Sequence, residues 1–293
     1  MKKEIRKEED SVPNRDYEVY KETKDTVQKR SYWEAATGLQ KVDGLTPTRY
    51  LFELAESNIK GELTYEDIEE LLYERYENES PEDIMQRNKE ADFVSARIAQ
   101  ILDSPGFPVQ INSLKTIHRE LFKDLYDHAG QFRHVNIYKK EPVLNGETVK
   151  YTNYTALIDT LEYDFETEKS RSYAGLNMDQ VIKRISCFTS SIWQAHPFIE
   201  GNTRSTAVFM ECYLNSMGFQ IDNTLFKEYS LYFRNALVRA NYANYSMGIS
   251  ETTEYVEKFY RNLLTKESIP LKNRDLILEE LFHSSVHGQE SES

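Results

Sequence analysis

The chain has 293 residues, with 36 Lys and Arg against 49 Asp and Glu, a net charge of −13 and a pI near 5.1. That balance argues against a nucleic-acid coat or a protein spread on an anionic membrane, and the length allows one large or two small domains around a sizeable core. The two cysteines, Cys187 and Cys212, fall on apolar helical patterns and read as small buried hydrophobes, which leaves no disulfide framework or zinc site.

The charged N-terminus from Met1 lacks the apolar core of a secretory signal, and no run approaches the roughly 20 apolar residues of a membrane span. The expected location is therefore cytoplasmic, with no membrane and no nucleic acid as partner. Residues 1–45 read as a charged N-terminal segment, partly mobile, with at most a loosely attached helix. A helical extension over 46–90 follows. Thr46-Pro47 gives a cap followed by proline at the first helical position, and Gly61 ends that helix; Thr64 caps a second and Ser80-Pro81 opens a third.

Residues 91–266 carry the main helical pattern, with helices expected near 82–103, 113–127, 153–168, 178–195, 203–217, 224–241 and 251–266, and caps at Asn112 and Asn177. Between two of them Glu141-Pro142-Val143-Leu144-Asn145-Gly146-Glu147-Thr148-Val149-Lys150-Tyr151 places Asn-Gly between strand-favouring runs, a strong short-range hairpin signal. Residues 267–293 supply a last helix near 273–283 and a polar tail. The fold class is all-α with one small β-hairpin.

The richest chemistry lies in nine residues: His196-Pro197-Phe198-Ile199-Glu200-Gly201-Asn202-Thr203-Arg204. They join the helix ending near Ala195 to one beginning near Asn202. Unpaired N–H groups at the start of that second helix form an anion site. Gly201 lets a phosphate oxygen approach the main chain, Arg204 reaches back with a planar fork of donors, and Glu200 offers a hard oxygen to Mg²⁺. His196 titrates in the range of a general base, and Phe198 points into the core and pins the loop. Singly, each residue has a structural explanation; together they form a nucleotide-phosphate kit.

This stretch is similar to the Fic family signature H-x-F-x-[DE]-G-N-x-R, matching every fixed position. The resemblance runs from roughly Ala91 to Leu264 and includes Ala129-Gly130-Gln131-Phe132-Arg133, Val135-Asn136-Ile137 and Tyr232 to Arg239. It implies an all-helical bundle with a central helix-loop-helix that binds ATP with Mg²⁺, a hairpin flap that adds a target segment by main-chain pairing, and transfer of AMP onto a Ser, Thr or Tyr hydroxyl of a target protein. By that resemblance His196 is the base and Glu200 holds the metal. Gly201, Asn202 and Thr203 lie along the phosphates through backbone or side-chain donors, and Arg204 contacts the β-phosphate. Val143, Leu144, Val149, Lys150 and Tyr151 form the flap.

The chain departs from the family at two places. Thr203 stands where Gly is usual, and Ala207 where many members carry a second Arg for the γ-phosphate. The family's inhibitory pattern [ST]-x-x-x-E-[GN], whose Glu pairs with that second Arg, is not matched; the nearest stretch, Glu56 to Gly61, has Lys60 at the Glu position. Self-inhibition by the usual ion pair is thus not expected, Lys60 becomes a candidate substitute for the missing Arg, and a separate antitoxin is left as a further partner. Two alternatives stay open: a Doc-like protein kinase, since the Doc toxins also lack the second Arg, and a non-catalytic nucleotide- or protein-binding module.

Overall fold

The apolar periodicities become ten α-helices in a computed structural model that describes residues 24–77, 83–104, 106, 108–221 and 223–282. They are α1 (Lys24–Leu39), α2 (Arg49–Lys60), α3 (Tyr65–Glu77), α4 (Asp83–Asp103), α5 (Ile111–Phe122), α6 (Leu157–Ser170), α7 (Met178–Ala195), α8 (Asn202–Ser216), α9 (Thr224–Ala240) and α10 (Glu254–Thr265). The Ser80-Pro81 start and the tail from Ser284 lie outside the described residues.

Helix α8 is the axis of the bundle. Every residue from Asn202 to Leu214 is buried, so its polar side chains must find partners or remain neutral inside the protein. Helices α4, α5 and α7 pack around it, and α10 covers α7 and α9. Asn177 caps α7 with a reciprocal capping box: its side chain accepts from Gln180 N at 2.9 Å while the Gln180 side chain accepts from Asn177 N at 3.0 Å.

Several expectations need correction. Within the segment read as charged and mobile, residues 24–39 form α1, whose Trp33, Ala35, Ala36 and Leu39 are buried against α4 and α9. Gly38 allows that contact, since a Cβ there would lie 2.3 Å from the Lys227 Cα on α9. The N-cap of α2 is Thr48, not Thr46, because Thr48 is anchored to the buried Asp92 carboxylate by its N–H at 2.7 Å and its hydroxyl at 2.6 Å. Helix α5 begins at Ile111 after Gln110, so Asn112 is inside the helix and not its cap. The last expected helix is interrupted: Asn273–Leu276 is a 3₁₀ turn, Ile277 and Leu278 are extended, and helix resumes at residue 279.

The hairpin does not form as a strand ladder. Pro142–Leu144 makes a 3₁₀ turn, Asn145 and Gly146 take φ of 52° and 87°, and backbone bonds from Glu141 N to Glu147 O at 2.8 Å and from Gly146 N to Glu141 O at 3.0 Å tie the turn together. Val143, Leu144 and Val149 are buried, so this loop turns its apolar residues toward the core, leaving Lys150 exposed. Cys212 is buried as expected, whereas Cys187 is exposed.

Candidate active site

Helix α7 ends when His196 takes the left-handed conformation (φ 47°, ψ 59°), which turns the chain sharply into the nine-residue loop. Two residues outside the loop hold it. The buried Arg133 guanidinium donates to the carbonyls of His196 at 2.8 Å, Ala195 at 3.2 Å and Val135 at 2.7 Å, and also to Thr152. These include C-terminal carbonyls of α7 that have no partner within the helix. His118, fully buried on α5, accepts from Gly130 N at 2.8 Å through Nδ1 and so donates through Nε2 to the Glu200 carbonyl at 3.1 Å. Its ring stacks on Phe198 at 3.7 Å, and burial holds its pKa down to about 4. Arg133 and His118 were not assigned roles from sequence, although Arg133 closes the Ala129–Arg133 segment that supported the resemblance.

Inside the loop the side chains divide their work differently from expectation. The Asn202 amide closes the loop on Phe198, accepting from Phe198 N at 2.9 Å and donating to Phe198 O at 2.8 Å. Thr203 Oγ1 is taken by the Trp193 indole N–H at 2.9 Å. Gly201 has φ of 73°, and a Cβ there would meet the Phe122 ring at 2.3 Å, so protein packing already demands glycine. What remains for an anion is the main chain of the first turn of α8. The helix's first backbone bond runs from Ser205 N to Gly201 O, and Gly201 gives no side-chain cap. The preceding N–H groups are the orphan donors of a helix N-terminus.

His196 faces the same space. Its Nδ1 donates to the Trp193 carbonyl at 3.0 Å, leaving Nε2 as the basic nitrogen. Burial is the main cause that lowers its pKa to about 3, assisted by the positive charges of Lys139, Arg234 and Arg133, so the imidazole is neutral at pH 7. A cavity of about 300 Å³ is lined by His196, Glu200, Gly201, Asn202, Thr203 and Tyr151, among others. It shares Asp43, Lys139, Glu200 and Arg234 with a larger one of about 790 Å³, which Arg204, Lys140 and Glu90 also line. The pair forms one cleft, with the imidazole at one end and the Arg204 side at the other.

Arg204 has protein partners that sequence reasoning did not supply. It is 1% exposed, and its guanidinium is bound by Asp43 at 2.9 Å, Glu90 at 2.6 Å and the Gln40 side-chain Oε1 at 3.1 Å, over the face of Phe122. An acidic partner for the loop arginine is therefore present, supplied by the 3₁₀ turn Gln40–Asp43 after α1 and by α4. It went unnoticed because the pattern sought ended in Glu-Gly or Glu-Asn, whereas this one is Asp43-Gly44 and meets Arg204, not position 207. Ala207 is fully buried on α8, and Lys60 is exposed at the end of α2 and lines neither cavity, so it does not replace a second Arg. Partial burial and the Asp43 and Glu90 carboxylates push Glu200 upward, against the pull of Lys139 and Arg204. Among the described residues no group of three or more His, Cys, Asp or Glu forms a metal cage, and no helix is long and apolar enough to cross a membrane.

Part of the chain is similar to known proteins. The model of the Fic/DOC family matches residues 108–214. The probable protein adenylyltransferase Fic of Escherichia coli (strain K12) is 29% identical over 108 residues, 37% of this chain and 51% of that protein. The protein adenylyltransferase VbhT of Bartonella schoenbuchensis is 28% identical over 112 residues, 38% of this chain and 22% of that protein. The chain thus spans about half of the first of these relatives and about a fifth of the second. Among solved structures, the N-terminal FIC domain of Bep8, a VirB-translocated effector of Bartonella sp. 1-1C, aligns with a TM-score of 0.49 and 17% identity over 67% of this chain and 92% of that one. The N-terminal Fic domain of a Bartonella effector from Bartonella sp. AR 15-3 aligns with a TM-score of 0.48 and 18% identity over 66% and 89%. Residues 108–214, which hold the loop and the helices on either side of it, are thus the part of the chain that is similar to the Fic/DOC family.

Proposed function

We propose that this protein is an adenylyltransferase that moves AMP from ATP to a Ser, Thr or Tyr hydroxyl of a target protein. The observation that carries the reading is the opening of a neutral, acceptor-bearing imidazole and a helix N-terminus into one cavity, His196 opposite Gly201 to Thr203. His196 Nε2 accepts the hydroxyl proton; the hydroxyl oxygen then bonds to the α-phosphorus as the bond to the β-phosphate bridging oxygen breaks, and pyrophosphate leaves. The first-turn N–H groups of α8 neutralise charge on the phosphoryl oxygens. The names of the two adenylyltransferase relatives support the same reaction.

The Glu200 carboxylate on the cavity wall suits Mg²⁺, which takes one or two protein carboxylates and completes its shell with phosphate oxygens and water. When bound, the ion supplies positive charge against the triphosphate. The target segment pairs with the main chain beside the exposed Lys150, since the apolar residues of that loop are turned inward.

Incubating the protein with Mg²⁺, cell lysate and ATP labelled at either the α- or the γ-phosphate tests this. Label on protein from α alone, lost in His196→Ala, is expected. Label from γ instead means phosphoryl transfer, and label from neither means a binding module.

A further inference from the structure

Tyr151 was expected to belong to the flap, yet its ring lies flat on the imidazole of His196, with centroids 4.0 Å apart and planes 26° from parallel. The Trp193 indole meets the same imidazole edge-on at 5.1 Å and 89°. With Nδ1 bound to the Trp193 carbonyl, the ring is fixed in plane and in tautomer, and Nε2 is left to face the cleft. A stacked tyrosine fixes a neighbour only if it is itself held, because an unanchored ring turns about its own side-chain torsions.

The anchor is Glu141. This carboxylate is completely buried and sits 2.8 Å from the Arg234 guanidinium of α9, while the Tyr151 hydroxyl points to it at 3.4 Å. Glu141 also organises the turn around it, since its N–H donates to Glu147 O and its carbonyl accepts from Leu144 N and Gly146 N. A buried ion pair contributes little net stability, because desolvation offsets the attraction. What it supplies is direction: oxygens fixed in space at the far end of the Tyr151 ring.

We propose that Tyr151 is a positioning residue for His196, held by the Arg234–Glu141 pair, so that helix α9 sets the orientation of the imidazole at the end of α7. The chain of contacts runs Arg234, Glu141, Tyr151, His196. It gives the loop around 141–151 a role in the chemistry beyond any contact with a target. The inference rests on the transfer reaction proposed above. The charged groups that face the imidazole are Lys139, just before the 3₁₀ turn Pro142–Leu144, Arg133 from the loop after α5 and Arg234 from α9; Glu200 shares its cavity.

The test uses the full chain labelled with ¹⁵N-histidine, the His196 signals being those missing from His196→Asn. Wild type is expected to show one neutral tautomer, with Nδ1 protonated. In Tyr151→Ala the two nitrogens average, and kcat for AMP transfer falls about 30- to 100-fold while KM for ATP stays within twofold, since misplacement of roughly 1 Å costs about that much. Tyr151→Phe keeps the stack and the packing but loses the anchor, so it falls about three- to tenfold. Glu141→Gln is expected to resemble it. An unchanged spectrum in Tyr151→Ala overturns the proposal whatever the transfer assay gives, and so does a changed spectrum with unaltered kcat. A changed spectrum in a protein whose wild type transfers no AMP sinks only the reaction assigned to the site.

Discussion

Replacing Asp43 by Asn probes the most consequential contact in the cleft, because it removes one of two carboxylates from Arg204 and almost no volume. Asp43 lies 2.9 Å from the guanidinium, with its side chain 22% exposed. At an effective dielectric near 20, unit charges about 4 Å apart interact by about 4 kcal/mol. Glu90 stays at 2.6 Å, so Arg204 keeps a counter-charge and the fold keeps most of its stability. The same arithmetic applies to the anion that must displace or accompany Asp43: it meets a neutralised arginine in wild type and a half-free one in the variant. After water replaces part of the lost attraction, a net gain of about 1–2 kcal/mol remains, or roughly five- to thirtyfold in the Kd for Mg·ATP. Titration calorimetry at 0.1 M salt reads this directly, and transfer of α-label should rise with it. The gain should shrink at 0.5 M salt, where the Debye length is about 4 Å. An ATP affinity that is unchanged or weaker in Asp43→Asn, with an unaltered melting temperature, would refute the idea that Asp43 restrains the arginine.

The remaining predictions concern stability. Glu211 is 1% exposed on α8, neither of its oxygens is hydrogen-bonded, and burial pushes its pKa from 4.5 to about 8. Its folded form holds the proton more tightly, so the stability it contributes is present below about pH 4.5 and is lost as pH rises through 8. Relative to wild type, Glu211→Gln should gain about 3–5 kcal/mol between pH 4.5 and 8 in urea unfolding; parallel curves would exclude the assignment. His196 and His118 act in the opposite sense. Their folded values, about 3 and about 4, lie below 6.5, so stability falls as pH drops below 6.5, by about 1.4 kcal/mol per unit for each. Gly201→Ala, with φ of 73° and a ring 2.3 Å from the new Cβ, should cost about 3 kcal/mol or more. Gly61→Ala, with φ of 80° and open space around it, should cost only about 1–2 kcal/mol; equal losses would show that the Phe122 contact does not constrain the loop. Arg133→Lys keeps the charge but not the planar fork that reaches four carbonyls, so thermal unfolding should fall by about 5–12 °C.

What the sequence made legible was what lies contiguous in the chain. The nine-residue loop could be read because its base, its carboxylate and its arginine fall within one turn between two strongly periodic helices, and the structure does bring them to one cleft. Of the backbone and side-chain donors expected at Asn202 and Thr203, the side chains are engaged elsewhere for a local reason. Side chains that look free in a string of letters are taken by neighbours whose reach depends on the shape of the turn, Phe198 in one case and the Trp193 indole in the other. The hairpin failed for a different one. Asn145 and Gly146 take the positive φ that the dipeptide favours, but Val143, Leu144 and Val149 are all drawn into the core, and burial on that scale outweighs a marginal two-stranded pairing.

The acidic partners of Arg204 illustrate a deeper limit. Glu90 and Asp43 lie 114 and 161 positions away in the chain, and nothing local marks either as facing a cleft. What demands them is physical: a guanidinium that is 1% exposed needs counter-charge or hydrogen-bonded oxygens whenever no anionic ligand is there. A buried loop arginine on a fully enclosed helix therefore predicts an acidic partner somewhere in the chain or in a bound molecule, without saying which. The absence of an arginine at position 207 removes one candidate for that pairing and leaves Arg204 as its focus. The loop that looked free of an internal restraint is the place where the fold applies one, and any anion entering the cleft has to compete with Asp43 and Glu90 for the same five N–H donors.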